Sequence, residues 1–235
     1  MSSCHENYKE FELKNKNIIL VGNPNAGKSV FFHKLTGMYT NVSNYPGTTL
    51  QIIQGTYEDY TVVDSPGVYG LSSISLEEEI TKKIVLKADK ILNVVNALHL
   101  ERELFLTLQL IDMGFPVVVA LNFMDEVEKS NAIINIKELS KRLGVKVIPT
   151  VAIKGEGISE IKSSLSKVKP SKIQYDYNKG LPEHISKIKK RSEYILAIEG
   201  DPEILKKNGC NLKMSPDEVY QKRRKRVDEI VTAVQ

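Results

Sequence analysis

The chain has 235 residues, with 33 Lys and Arg against 29 Asp and Glu, a net charge of +4, and 41% hydrophobic and 26% charged positions. Such proportions exclude disordered and collagen-like chains and suit one α/β domain of about 150 residues with a smaller module beside it. Cys4 and Cys210 lie far apart and build neither a disulfide framework nor a zinc pattern, which points to a reducing compartment; the longest apolar run, Val117 to Leu121, is far shorter than the roughly 20 residues of a membrane-spanning helix, and Met1 to Leu13 is too polar for a signal peptide, so the chain is expected to be soluble as given.

Asn17 to Val21 is an apolar run that ends in a glycine-rich turn and leads into a helix-like stretch, Ser29 to Leu35. Further apolar runs at Tyr60–Val63, Lys90–Val95, Val117–Leu121 and Lys146–Ile148 alternate with amphipathic segments. The predicted fold is α/β, a doubly wound and mostly parallel sheet. Leu76–Lys87, Glu101–Met113 and Ile136–Leu143 read as crossover helices, the last closed by Gly144 as its C-cap. Beyond Ile158–Val168 the alternation stops at Lys169-Pro170, in a stretch carrying Tyr175, Asp176, Tyr177, Asn178 and Gly180. The expected division is an extension over 1–16, an α/β domain over 17–169 and a small all-helical domain over 170–235.

In that tail, Pro182–Ile198 places Ile185, Ile188, Ile195 and Ile198 on roughly one helix face, and Ser215-Pro216-Asp217-Glu218 reads as a capped helix start. The last helix contains Lys222-Arg223-Arg224-Lys225-Arg226. Its expected reading is a solvated face, set against contact with an anionic membrane surface or nucleic acid.

Gly22-Asn23-Pro24-Asn25-Ala26-Gly27-Lys28-Ser29 fits the phosphate-binding pattern G-x-x-x-x-G-K-[ST] between a predicted strand and helix. Successive backbone N–H groups from Asn25, Ala26, Gly27, Lys28, Ser29 and Val30 would wrap the phosphates, Lys28 would charge-pair with the β and γ groups, and the Ser29 hydroxyl would ligate Mg2+. Asp64, before Ser65-Pro66-Gly67, stands at a strand's C-terminal end, where it would hold Mg2+ through water while the Gly67 N–H senses the γ-phosphate. In Asn122-Phe123-Met124-Asp125 the Asp125 carboxylate matches the ring N–H and exocyclic amine of guanine, and Asn122 supports the loop and the keto side. Adenine presents the opposite donor pattern, so GTP and GDP are favoured over adenine nucleotides. Phe123 replaces the lysine usual after that asparagine, and in Val151 to Gly157 Ala152 would offer only its backbone N–H to the guanine oxygen. Between the first two motifs, Asn44-Tyr45-Pro46-Gly47-Thr48-Thr49 is a switch loop in which either threonine could close over γ-phosphate and magnesium.

Together with Val42-Ser43 before that loop, Asp64-Ser65-Pro66-Gly67-Val68-Tyr69 and Leu100-Glu101-Arg102-Glu103-Leu104-Phe105-Leu106-Thr107, this order of signatures resembles the cytosolic N-terminal GTPase domain of the ferrous-iron transport protein B family, over about Asn17 to Val168. The resemblance implies a P-loop GTPase with Thr49 as the switch threonine, and a helical regulatory domain from Pro170 onward that modulates nucleotide release and leads into the transporter's transmembrane portion. It places the chain as the cytoplasmic part of an inner-membrane transporter, with excision from a longer protein favoured over a stand-alone relative. Guanine nucleotide and that transmembrane portion are then the partners, no nucleic acid is expected, and a homo-oligomer stays open. Cys4-His5 reads as a frayed terminus, with iron binding the lesser reading.

Val68 stands where Ras-like enzymes carry a water-orienting glutamine, so intrinsic GTP turnover is expected to be slow. Lys28, Thr49 and Gly67 are the expected catalytic residues, and by the same resemblance Asn25 helps hold K+ beside the phosphates. The competing reading is a ribosome-assembly or RNA-associated GTPase; the modest charge and the lack of an aromatic-basic RNA motif weigh against it.

Overall fold

A computed structural model describes residues 13, 16–37, 40–71, 75–173, 175, 177, 185, 187–210 and 216–235. Cys4-His5, Asp176, Asn178, Gly180, the start of the Pro182–Ile198 segment and the Ser215 cap lie outside the described residues. The elements are β1 (Asn17–Val21), α1 (Lys28–Thr36), β2 (Thr40–Asn44), β3 (Gln51–Tyr57), β4 (Tyr60–Asp64), α2 (Leu76–Val85), β5 (Lys90–Asn96), α3 (Leu100–Asp112), β6 (Val117–Asn122), α4 (Met124–Lys129), α5 (Ile136–Leu143), β7 (Lys146–Pro149), α6 (Ile158–Lys167), α7 (Arg191–Ile198), α8 (Pro202–Lys207) and α9 (Pro216–Val234).

One seven-stranded sheet runs in the order β2-β3-β4-β1-β5-β6-β7. From β4 to β7 all neighbours are parallel, with Ile19 opposite both Val63 and Ile91, while β2 and β3 add an antiparallel edge. The parallel strands are apolar on both faces because each face is covered by helices. Period-two alternation sends Ile18, Leu20, Leu92, Val118 and Ala120 toward Phe31, Phe32 and Leu35 of α1 and Ile161 and Leu165 of α6. The intervening Ile19, Val21, Ile91, Val119 and Leu121 share the other core with α2, α3, α5 and the C-terminal helices. All predicted parallel strands and crossover helices are present, and Gly144 caps α5 in the left-handed region with φ 66°. The β2–β3 pair and α4 had no counterpart in the sequence reading. Strand β2 is polar and leaves Val42 exposed, so edge strands of this kind carry little alternation.

Two expectations for the tail are corrected. The helix expected over Pro182–Ile198 is not continuous: residues 187–190 leave helical geometry and α7 begins at Arg191. Arg191 is drawn onto the domain surface instead, donating from Nε to the Asp112 carbonyl at 2.9 Å and from Nη2 to the Tyr175 carbonyl at 2.8 Å. The basic run of α9 is likewise not simply a solvated face. Val219, Arg223, Val227 and Ile230 recur at helical spacing and all point inward, which carries Arg223 into the core at 2% exposure. There Arg223 pairs with Glu199 and lies 3.6 Å from Asp112, and Arg226 reaches the other Asp112 oxygen at 3.0 Å. Tyr177 donates to Asp112 at 2.7 Å, and burial pushes the Tyr177 phenol above its ordinary range. The carboxylates around Arg223 hold its guanidinium charged despite burial.

Removing one member of a buried ion cluster strands the others, typically at about 3–5 kcal/mol, whereas a half-exposed pair contributes at most about 1 kcal/mol. Arg223→Met is therefore expected to lower the thermal midpoint by many degrees. Arg224→Met, on the same helix but paired with Asp228 at 3.6 Å near solvent, should shift it little; scanning calorimetry of both variants checks the contrast.

Candidate functional site

Most of the residues expected to bind nucleotide gather along the C-terminal ends of β1, β4 and β6, where strands hand over to helices. After β1 the chain turns through Asn25 and Gly27, with φ of 64° and 97°, and enters α1 at Lys28. The loop is tightly seated. A Cβ at Gly22 would sit 2.2 Å from the Val94 carbonyl oxygen, and one at Gly27 would sit 2.6 Å from Asn122 Nδ2. Glycine is therefore required at both positions by close approach, and at Gly27 by backbone conformation as well.

Lys28 folds back over this loop, donating from Nζ to the carbonyls of Gly22 and Asn23, each at 3.1 Å. Burial pulls its ammonium below the usual lysine range, against the opposing pull of Asp64 and Glu103. Ser29 donates to Asp64 Oδ2 at 2.7 Å, so residues 35 apart in sequence meet at one point. The second Asp64 oxygen, Oδ1, is buried and accepts no hydrogen bond. Burial raises the Asp64 carboxyl above its ordinary value, while Ser29, Lys28 and His33 favour the charged form. A hydroxyl beside an orphaned carboxylate oxygen is an all-oxygen donor set, which fits magnesium. Gly67 completes this corner: a Cβ there would lie 2.8 Å from Pro24 Cα and 3.1 Å from Lys28 Nζ, and the Val68 N–H donates to the Gly22 carbonyl at 3.2 Å.

Asn122 is the keystone of the second half of the site. Its Nδ2 donates to the Ala26 carbonyl at 3.0 Å, and its Oδ1 accepts from the Ala152 N–H at 3.1 Å. One buried amide thus joins the phosphate loop to the loop after β7. The Ala152 N–H expected to face a guanine oxygen is engaged in this bridge instead, because a buried asparagine must satisfy both ends of its amide. Phe123, with φ 66°, turns the chain so that Asp125 leaves the sheet edge on α4, where Lys154 lies 3.5 Å from its carboxylate. Asp125, Ala152 and Asn122 therefore share one corner beside the phosphate loop.

The switch loop forms the tip of the β2–β3 hairpin. Thr48 is absorbed into its turn, donating from Oγ1 to the Tyr45 carbonyl at 2.9 Å and accepting from the Leu50 N–H at 3.2 Å. Thr49 is exposed and makes no hydrogen bond with Ser29 or Asp64 among the described residues. Asn25 is exposed on the phosphate loop, and Ala26 and Val30 flank Gly27 to Ser29 as the motif requires.

Three polar residues escaped the sequence reading. Asn23 is buried beneath the phosphate loop, Glu103 is buried at the start of α3, and Gln109 is buried further along it. Gln109 accepts from the Leu71 N–H at 2.9 Å and donates to Glu199 at 2.6 Å, linking the loop after β4 to the C-terminal helices. The available signal was that Glu103, Thr107 and Gln109 sit among Leu104, Leu106, Leu108 and Leu110, on a helix too apolar to keep a polar face in water.

A family profile described as Ferrous iron transport protein B matches residues 16–165. The chain belongs to that family. Within it, the Fe(2+) transporter FeoB of Escherichia coli K12 is 43% identical over 167 residues, covering 67% of this chain and 22% of the relative. The chain thus spans about a fifth of the length of the curated FeoB relatives it matches. Among solved structures, the cytosolic domain of L. pneumophila FeoB is 34% identical with a TM-score of 0.79, covering 93% of this chain and 99% of that one. The GMPPNP form of the T. maritima FeoB cytosolic domain is 27% identical with a TM-score of 0.82, covering 93% and 98%. The family's P-loop GTPase fold with a helical C-terminal part is therefore the fold of this chain. Among the described residues no helix is long and apolar enough to cross a membrane.

Asn122→Ala would strip the Ala26 carbonyl and the Ala152 N–H of their partner in a buried setting, at about 1–3 kcal/mol for each unsatisfied group. A marked fall in the thermal midpoint of the nucleotide-free protein is expected, measured by circular dichroism.

Proposed function

We propose that this chain is the guanine-nucleotide-binding and GTP-hydrolysing part of a ferrous-iron transporter, acting as a slow switch on a transmembrane portion. The observation that carries the reading is the meeting of Ser29 and Asp64 at 2.7 Å beside Lys28, on a loop tied to the Asn122–Asp125 segment by a buried amide. A relative with this fold was solved with GMPPNP.

In this reading Lys28 exchanges its two carbonyl partners for phosphate oxygens, which restores a full complement of anionic acceptors to a buried ammonium. Backbone N–H groups of Asn25 to Val30 cradle the phosphates, and the Gly67 N–H meets the γ group. Ser29 and Asp64 hold magnesium, with Thr49 joining when the hairpin tip closes. Magnesium supplies neutralisation of charge on the β and γ oxygens. Asp125 exchanges the Lys154 ammonium for the guanine ring N–H and amine. Because Val68 has no polar group to orient water, catalysis rests on charge stabilisation, for which Asn25 offers a neutral carbonyl ligand to K+.

The switch has a route to the helical part. Residues 17–169 and 170–235 act as separate units in this reading although they share a core. Leu71, just past Gly67, bonds Gln109, which bonds Glu199, which pairs with Arg223 of α9. Lys82 of α2 pairs with Asp201 at 2.7 Å, both about 2% exposed. Movement around Gly67 is felt at both contacts. Arg223 and Arg226 are committed to these internal pairs, which weighs against the RNA-associated alternative.

Asp125→Asn turns an acceptor toward donor character, so it is expected to weaken GTP binding at least about tenfold and gain affinity for xanthosine triphosphate. Competition binding with both nucleotides checks this, and unchanged GTP affinity would contradict the base-reading role. Turnover is expected to be faster in K+ than in Na+ at equal ionic strength, and Asn25→Ala should erase the difference; a phosphate-release assay measures it. Thr49→Ala should reduce turnover more than it reduces GTP binding, and more than Thr48→Ala does.

A further inference from the structure

Glu103 is a buried ionisable group that the chemistry above leaves without a task. Its side chain is 2% exposed, at the first turn of α3 beneath the phosphate loop. Oε2 accepts from the Asn96 N–H at the end of β5, at 3.3 Å. Oε1 is buried and accepts no hydrogen bond, with the half-exposed Arg102 guanidinium 3.8 Å away. Beside it lies the Asn23 side chain, 0% exposed, with neither amide atom making a well-aligned hydrogen bond. The amide is still near enough to favour the carboxylate, as are Arg102 on α3 and Lys28 on α1; Asp64 at the end of β4 is the other charge acting on Lys28. Burial outweighs them all and pushes Glu103 up to about 7.

Two buried acceptors, Glu103 Oε1 and Asn23 Oδ1, thus lack a donor. A proton on Oε1 lets Glu103 donate to Asn23 Oδ1, and loss of that proton calls for the amide to present Nδ2 instead. The backbone carbonyl of the same Asn23 holds Lys28. We infer that Glu103 is a positioning residue whose proton, read by Asn23 beneath the phosphate loop, sets how firmly Lys28 is held and hence how tightly a nucleoside diphosphate or triphosphate binds. The inference rests on the nucleotide reading of the loop.

Its sign follows from charge. Ionised Glu103 holds Lys28 back and repels entering phosphates, whereas the neutral acid does neither. Bound nucleotide therefore raises the Glu103 carboxyl further, and nucleotide affinity stays level below about pH 7, then falls as pH climbs from the free-protein value toward the higher bound one.

The test is the affinity of the full chain for fluorescent GDP with Mg2+, from pH 6 to 8.5 at fixed ionic strength, for wild type and Glu103→Gln. Wild-type affinity is expected to fall roughly threefold to tenfold above pH 7. Glu103→Gln should keep the acid-side affinity and show only the slope that the nucleotide's own phosphate titration imposes on both proteins. A wild type with no slope, or a variant with the wild-type slope, overturns the inference. Carbon-13 NMR of the Glu103 carboxyl in the wild type, free and with GDP, gives a second readout should the variant fail to fold: an upward shift on binding is expected, and an unmoved titration overturns the inference. Absence of GDP binding at every pH would overturn the nucleotide reading along with it, whereas binding without these shifts overturns the Glu103 inference alone.

Discussion

A helix buried along nearly its whole length cannot leave a polar side chain unpaired without a cost of roughly 1–3 kcal/mol per group, and α3 carries Glu103, Thr107, Gln109 and Asp112, all buried. Every one of these has to find a partner on a neighbouring element. Glu103 and Thr107 look toward the sheet end under the phosphate loop: Thr107 donates to Asn93 at 2.6 Å, and Asn93 donates to the Val21 carbonyl just before that loop. Gln109 and Asp112 look the other way, to Glu199, Arg223, Arg226 and Tyr177 of the C-terminal part. One rigid element therefore touches the phosphate loop with its first half and the helical part with its second.

This arrangement explains why the helical part shares a core with the α/β part instead of hanging from a linker. Charged groups in a protein interior are a weak source of net stability, since desolvation offsets most of their attraction. What they impose is a defined geometry, because a slipped Arg223 or Lys82 leaves carboxylates stranded. A contact of that kind tolerates two discrete arrangements better than a continuum, which is what a nucleotide-dependent switch requires. The loop after β4 is held at Leu71, whose N–H donates to Gln109, and at Pro66, whose carbonyl accepts from Thr81 of α2 at 3.3 Å, while the next residue of α2, Lys82, pairs with Asp201 of the C-terminal part.

The parallel strands, the phosphate loop and the Gly144 cap were legible because each follows from local chemistry: continuous apolar runs, a glycine pattern, a left-handed turn. Strand β2 was not, since its polar run Thr40-Asn41-Val42-Ser43-Asn44 gains strand geometry only from pairing with β3. The fate of Arg223 was equally hidden. Five consecutive basic residues look solvated, and only the inward phase of Val219, Val227 and Ile230, with carboxylates arriving from Asp112 and Glu199, turns one of them into the core. In the site, two motifs 35 residues apart place Ser29 and Asp64 at 2.7 Å, whereas the bond from the Ala152 N–H to Asn122 joins loops 30 residues apart and has no local signature. Pairings across 90 or 119 residues, as for Gln109 with Glu199 and Lys82 with Asp201, have no local signature at all.

The phosphate loop and the C-terminal helices are joined through α3, with Gln109 as the joint to Glu199. Hydrogen–deuterium exchange of the GDP and GMPPNP complexes, in wild type and Gln109→Leu, addresses this connection most directly. The account predicts that α7 and α9 exchange at different rates in the two wild-type complexes, and that Gln109→Leu binds both nucleotides yet loses the difference. Identical exchange of those helices in the two wild-type complexes would contradict it.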